Sequence, residues 1–407
     1  MPGARAALRE RDFRLFWLSL LSEGLALSMA TVAVGWQVYE IDGDPLDLGL
    51  VGLAEFIPLP LLALPAGHLA DRVSRRTVIV AARLLDTAVL LALLGVTVAG
   101  PDRLAPFLVL AFGTGAASAL GAPAGRALTP SLVPEELLAA AFAIRSVAAQ
   151  VAVVVGPAVG GLLFAVRPEL VYGIGALLTL ISLAFIVQLR SGRTPAPVGA
   201  PGLDSVLDGV RLIRRTRVLL GAISLDLFAV LFGGAVALLP AFAKDVLGTG
   251  PTGLGVLRSA PAVGALAAGL VLTRHPVQRR VGAVLLTVVA LFGAATVVFG
   301  LSRAMWLSVL ALAVAGAADM VSVVLRQLIL PFVTPDALRG RVTAVEMVFI
   351  SASNELGAFE SGVAAALLGL VPAVVLGGVA TIAIAALWPF LFRELARVDR
   401  VEELRPV

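Results

Sequence analysis

The sequence predicts an all-α membrane protein with twelve transmembrane helices in two pseudo-symmetric six-helix bundles. Three observations carry that expectation: the composition, the run of apolar spans, and an internal repeat of about 200 residues. Of 407 residues, 59% are hydrophobic and 14% charged, and the mean hydropathy is +1.00. An ordinary soluble domain carries about 25% charge, so this chain needs lipid as its solvent.

The apolar spans follow one another along the whole chain. A helix needs about 20 residues to cross the hydrocarbon core. Spans of that order run over 13–39, 48–69, 77–98, 104–128, 137–166, 170–189, 218–242, 252–273, 281–301, 305–330, 342–368 and 371–392. The first is too long for the apolar region of a signal peptide, and no small-residue cleavage site follows a short one.

The repeat is read from motifs in the same order. Gly67-His-Leu-Ala-Asp-Arg72 and Gly269-Leu-Val-Leu-Thr-Arg274 are offset by 202, Gly52 to Pro58 and Gly255 to Pro261 by 203, and Gly156 to Gly161 and Gly357 to Gly362 by 201. Agreement within two residues implies a duplicated half. The expected organisation is a bundle over 1–190, a cytoplasmic linker over 191–216 and a second bundle over 217–407. In the linker, Pro and Gly over 191–202 interrupt any helix. Leu203, Val206, Leu207, Val210 and Ile213 then recur beside charged residues, the pattern of an amphipathic helix on the cytoplasmic surface.

Cations set the expected orientation. With the N-terminus cytoplasmic, the cytoplasmic segments hold 24 basic residues, Arg326 and Arg126 among them, against four on the other side. That imbalance predicts both termini inside. Lys244 is the only lysine, so the basic pI reflects arginines in short loops and points to topology rather than nucleic acid. Cys is absent, which excludes disulfides and thiolate chemistry. Two His, His68 and His275, leave little for a metal centre, and no phosphate-cradling loop is present. No cofactor or metal is expected, and the chain reads as a monomer.

Ionisable residues inside the spans are the sharper signals, since a carboxylate at mid-bilayer costs about 2.5–3.5 kcal/mol and needs a partner, water or a proton. Glu23, Asp226, Asp319, Glu346 and Glu355 fall at that depth, with Glu23 and Asp226 203 residues apart. Glu23, Asp226 and Asp319 are candidates for proton coupling. The rival reading of Glu23 and Asp226 is a structural pairing with Arg, and contact with a cationic cargo is a third. Glu55 and Arg258 occupy equivalent places with opposite charge, and with Glu360 they are candidates for a gate. Arg83 and Asp86 are spaced to pair on one helix. Arg145 is a candidate for cargo contact. Ser353, Asn354, Glu355 and Glu360 make the eleventh span polar, with Asn354, Glu355 and Glu346 as cavity candidates. Phe228 and Phe232 would add aromatic surface. Trp17, Trp306 and Trp388 read as interfacial anchors. Gly156, Pro157, Gly160 and Gly161 predict a bent, closely packed fifth helix.

The loop Gly67-His-Leu-Ala-Asp-Arg-Val-Ser-Arg-Arg76 resembles the signature between the second and third helices of the major facilitator superfamily, with Ser74 where that family has Gly. Gly156-Pro-Ala-Val-Gly-Gly161 is similar to its antiporter motif, except that Ala152 replaces a Gly. Trp36 to Tyr39, Pro45 to Leu53, Pro123 to Pro134 and Ser351 to Gly362 are similar to the branch of bacterial exporters that includes siderophore exporters, macrolide pumps and lysophospholipid flippases. The resemblance implies the major facilitator fold, a central cavity faced by Glu23, Asp226 and Asp319, and a gating latch at Asp71, Arg72 and Arg76. A role for those arginines as topology anchors remains open.

These features imply a secondary transporter of the bacterial inner membrane, with a small organic cargo, protons and the lipid bilayer as partners. Export of an amphipathic or siderophore-like molecule by proton antiport is the leading expectation, beside drug efflux and lipid flipping. A membrane scaffold would not need acids at matched places, and an enzyme would want a nucleophile with its base or a metal cluster. Because the chain lacks Cys, single cysteines test the topology directly. An impermeant thiol reagent on spheroplasts is expected to label Asp102→Cys, and to label Thr194→Cys only after permeabilisation. The opposite pattern would invert the orientation.

Overall fold

The computed structural model describes residues 2–62, 73–190 and 203–404. The predicted loop residues Asp71, Arg72 and His68 and the linker 191–202 lie outside them. The described chain is α-helical, with short 3₁₀ and π turns. Helix α1 is Pro2–Arg9, and six long helices follow: α2 Arg11–Asp42, α3 Pro45–Phe56, α4 Arg75–Ala99, α5 Ala105–Leu128, α6 Leu138–Val166 and α7 Pro168–Val187. After α8, Leu203–Arg215, come α9 Arg217–Phe232, α10 Pro251–Arg274, α11 Val281–Leu301, α12 Met305–Val333, α13 Asp336–Leu368, α14 Leu370–Leu391 and the short α15 Arg393–Ala396.

Eleven segments among the described residues are long and apolar enough to cross a membrane. The expected twelfth, α13, has 33 residues but is not among the eleven. Asn354, Glu355 and Glu360 dilute its apolar character while its length, about 50 Å at 1.5 Å per residue, is ample.

Two compact units result. The first comprises Met1–Gly43, Leu50–Ala200 and Thr249–Ser259, and the second Asp44–Gly49, Pro201–Gly248 and Ala260–Val407. In the first, α2 packs on α6 and α7, and α4 on α5 and α7. One end is closed by an apolar core of Phe13, Phe16, Ile79, Leu128, Ile144 and Ile186. Buried polar side chains link its helices. Ser19 and Ser182 share a hydrogen bond of 2.7 Å, the Tyr172 hydroxyl donates to Gln37 Oε1 at 2.6 Å, and Thr87 donates to Thr179 at 2.9 Å. In lipid such bonds hold helices together where the hydrophobic effect cannot.

Helix α6 shows how small residues set helix distance. A Cβ on Gly160 would stand 2.8 Å from Met29 Cα, and one on Gly161 2.5 Å from the Pro251 carbonyl oxygen. Gly156 meets Ser28 in the same way. Ala152, the departure from the antiporter motif, faces Gly24, where an added Cβ would be 2.7 Å from the Ala152 methyl. The glycine of that crossing has moved to the partner helix.

In the second unit, α11 packs on α12 and α14, and α9 on α13. The predicted continuous span 218–242 instead breaks after Phe232 into 3₁₀ and π turns through Val246. The reason is close packing at two glycines. Gly233 lies against the Phe292 ring and the Ala229 carbonyl, and a Cβ on Gly234 would be 2.8 Å from the Gly357 carbonyl oxygen of α13. Trp388 is no interfacial anchor. It is 5% exposed and donates from Nε1 to the Gly221 carbonyl at 2.8 Å. Trp17 likewise donates to the Ile144 carbonyl, whereas Trp306 is exposed. Helix α8 forms where the sequence predicts it, but it packs on α13. Ile213 is buried, and a Cβ on Gly209 would be 3.0 Å from the Arg341 carbonyl oxygen. Protein therefore occupies part of the side expected to meet lipid.

The C-terminal segment finishes this unit. Leu395, Val398 and Val401 enter its core, and the segment caps α11, whose N-cap Arg280 is left-handed (φ 55°) and makes no side-chain cap bond. The Val281 and Gly282 N–H groups donate to the Asp399 and Val398 carbonyls at 3.2 and 3.0 Å. The Arg280 N–H donates to Asp399 Oδ1 at 2.9 Å. That bond, then the Arg279 guanidinium, holds the Asp399 carboxyl below the usual carboxylate range. Its stabilisation is present above the ordinary Asp pKa and is lost as pH falls through the depressed one.

Gly160→Leu is expected to abolish a monodisperse, cooperatively melting protein, because Met29 backbone cannot yield as a side-chain tip would. Gly173→Leu, where nothing lies within 4 Å of an added Cβ, is the control and should melt like the wild type. Equal behaviour of the two would contradict this packing.

Candidate functional sites in the two units

Each unit holds a buried cluster of charges around one arginine. In the first, α2 supplies Glu23 and α4 supplies Arg83 and Asp86, one turn apart. Arg83 Nη1 bonds Asp86 Oδ2 at 3.0 Å and also pairs with Glu23. Arg83 and Asp86 are 4% and 3% exposed. The sequence reading of Arg83 and Asp86 as an isolated helical pair is therefore incomplete, since the arginine bridges two carboxylates and ties α4 to α2. Its Nε is buried without a hydrogen-bond partner. Next to this triad lies a cavity of about 170 Å³ lined by Glu23, Arg83, Asp86, Arg145 and apolar residues including Phe16 and Leu20. Arg145 reaches it from α6, its Nη1 donating to Thr129 Oγ1 at 3.1 Å and to the Gly125 carbonyl at 3.4 Å. Glu23 and Arg126 lie within electrostatic range of that guanidinium.

In the second unit, Asp226 on α9 pairs with Arg326 on α12, Nη1 to Oδ2 at 2.6 Å. Both are buried. The sequence places Arg326 among the cytoplasmic cations, but more than a turn of helix follows it and it is buried, so it sits inside the unit and leaves that count. Buried Glu346 on α13 and the more exposed Asp319 on α12 lie within electrostatic range of Asp226 and Arg326. Asp226 and Asp319 share the lining of a small cavity with Ser322 and Phe292. Asp226 thus pairs with the guanidinium, and two further carboxylates lie within its electrostatic range.

Other predicted residues stand apart. Arg76 donates to the Ile186 carbonyl at 3.1 Å and to that of Val187, so it caps the end of α7. Phe228 stacks on Phe232 at 6.5 Å and meets Trp388 edge-on at 5.9 Å. Glu55 and Arg258 are half-buried in the first unit, and Glu355 and Glu360 half-buried in the second, with Asn354 exposed.

The sequence reading missed a signal at these sites. Arg126 and Arg326 are 200 residues apart, and Arg145 and Glu346 are 201 apart with opposite charge. The repeat that matches Glu23 to Asp226 thus relates these two pairs as well, while Arg83, Asp86 and Asp319 have no charged counterpart at that offset. In chemical terms, each cluster can trade a carboxylate–arginine pair for a protonated acid plus a free arginine, or for a bound ion.

Comparison with known proteins fixes the family. The chain matches the transmembrane secretion effector family over residues 3–404. It belongs to that family, within the major facilitator superfamily. Among its relatives, the enterobactin exporter of Escherichia coli O1:K1 / APEC is 30% identical over 373 residues, covering 90% of this chain and 85% of the relative. The enterobactin exporter of Citrobacter koseri is 28% identical over 401 residues, 97% and 93% of the two chains. Solved structures agree on the fold. A bacterial homolog of the human lysosomal transporter Spinster gives a TM-score of 0.74 at 15% identity, covering 96% of this chain and 98% of its own. A nucleoside transporter gives 0.69 at 15% identity, covering 95% and 99%. This member of the major facilitator superfamily is a multi-pass membrane transporter by family.

The shared arginine has an asymmetric consequence. Arg326→Gln strands buried carboxylates and is expected to cost about 3–5 kcal/mol, whereas Asp226→Asn leaves Arg326 with acids nearby and costs less. Thermal unfolding in detergent compares them, and equal losses would refute the shared arginine.

Proposed function

We propose that this chain exports an amphipathic, siderophore-like organic molecule across the bacterial inner membrane, driven by proton antiport with alternating access and with both termini cytoplasmic. One observation carries the cargo class: the similarity to enterobactin exporters over nine-tenths of the chain. That likeness also favours siderophore export over drug efflux or lipid flipping.

The clustered acids support the coupling. In the second unit, Asp226, Asp319 and Glu346 exceed the charge that Arg326 can balance, and a proton on one of them relieves the excess. In the first unit, Arg83 divides itself between Glu23 and Asp86. Protonating Glu23 would release the arginine toward Asp86 and loosen α2 from α4. Glu23, Asp226 and Asp319 are thus the proposed proton carriers, and Arg145 the proposed contact for an anionic group of the cargo. A membrane potential adds about 2.3 kcal/mol per charge per 100 mV to such an exchange. Glu55, Arg258 and Glu360, with the loop holding Asp71, Arg72 and Arg76, are the proposed gates.

Proteoliposomes carrying the purified protein test this with a catecholate siderophore, a cationic drug and a lysolipid, with and without a pH gradient. Gradient-driven movement of the siderophore is expected, falling at least about tenfold in Glu23→Gln and Asp226→Asn, while downhill exchange survives in at least one of them. Full gradient-driven transport in both variants would remove the proton assignment. Transport of the drug or lysolipid in place of the siderophore would replace the cargo class.

A further inference from the structure

Away from the charge clusters, at the end of the second unit where α8 gives way to α9, lies a cavity of about 320 Å³. Arg215, Thr216, Arg217, Val218, Val333, Glu394 and Leu404 line it. This volume is near the lower end of small-molecule sites, about 300–1,000 Å³. We propose that the cavity binds a phosphate-bearing anion, seated on the N-terminus of α9 between Arg215 and Arg217.

The argument begins with Thr216. It stands at the N-cap of α9, a 16-residue helix, in extended backbone conformation (φ −96°, ψ 97°). A cap threonine normally accepts a hydrogen bond from an N–H of the first turn; Thr216 makes no such bond. Its own N–H is spent on the Leu212 carbonyl at 2.9 Å. The residue is 4% exposed, and its Oγ1 is buried with no hydrogen-bond partner. A buried hydroxyl without a partner is costly, and Thr216 is one of the residues that line the cavity. The first-turn N–H groups of α9 lack intrahelical acceptors and carry the positive end of the helix dipole.

Charge completes the site. Two arginines, the neighbours of Thr216 in the chain, and one acid, Glu394, line the cavity, so the lining is formally cationic. Guanidinium groups, a hydroxyl and helix N–H donors together suit an oxyanion with several acceptor oxygens, as phosphate has. The cavity adjoins the start of the membrane segment Arg217–Val246, the level at which lipid headgroups lie. A phospholipid headgroup and a soluble phosphate ester share this chemistry.

Binding to the full-length protein in neutral detergent separates them, read by native mass spectrometry and by the shift in melting temperature. The probes are phosphatidylglycerol, glycerol 1-phosphate, and diacylglycerol as the phosphate-free control. Phosphatidylglycerol or glycerol 1-phosphate is expected to bind and diacylglycerol not. Affinity should fall about tenfold or more in Arg215→Gln/Arg217→Gln, fall severalfold in Thr216→Val, and hold or rise in Glu394→Gln. A response to the lipid alone assigns the site to the bilayer, and a response to glycerol 1-phosphate assigns it to soluble phosphate esters. Thr216→Val keeps the residue's shape, so it remains informative if the double variant misfolds. Absence of binding by both phosphate probes, binding that both sets of variants leave unchanged, or weaker binding in Glu394→Gln would overturn the proposal.

Discussion

Pairing of buried charge is the constraint on which the rest of this fold depends. In a chain with so few charged residues, the buried arginines Arg83 and Arg326 each pair with carboxylates, and doing so fixes helix registers. Arg83 meets Glu23 and Asp86 at once, which sets the height of α4 against α2. Arg326 meets Asp226 and so aligns α12 with α9. Apolar surfaces alone would allow helices to slide in lipid, since one apolar face resembles another.

Close packing supplies the second constraint. Gly156, Gly160 and Gly161 bring α6 to van der Waals distance of neighbouring backbone, and Gly24 with Ala152 continues the same seam. Small residues can be exchanged across such a crossing provided that one side lacks a side chain. The motif departure at Ala152 therefore leaves the geometry intact.

The helical, membrane-embedded character of the chain was legible because apolar length and an internal repeat are properties of sequence alone. Boundaries followed for most spans. Other features depended on tertiary contact. Arg326 lies near the end of its apolar span, and depth in a helix cannot be told from position when a buried acid on another helix is the deciding partner. A tryptophan near a span end suggests an interfacial anchor, yet the Gly221 carbonyl draws Trp388 inward. The break after Phe232 follows from Gly233 and Gly234, whose meaning depends on Phe292 and Gly357 arriving from elsewhere. Glu23 and Asp226 were legible as a pair; their arginine partners were not.

The capping of α11 by the segment around Asp399 carries a consequence for biogenesis. Helix α11 leaves the ribosome more than a hundred residues ahead of the residues that satisfy its first N–H groups. Its starting turn stays exposed throughout insertion of the three long helices that follow. Completion of the second unit therefore waits on synthesis of the residues around Asp399, and a nascent chain stalled before Asp399 holds α11 without its lock.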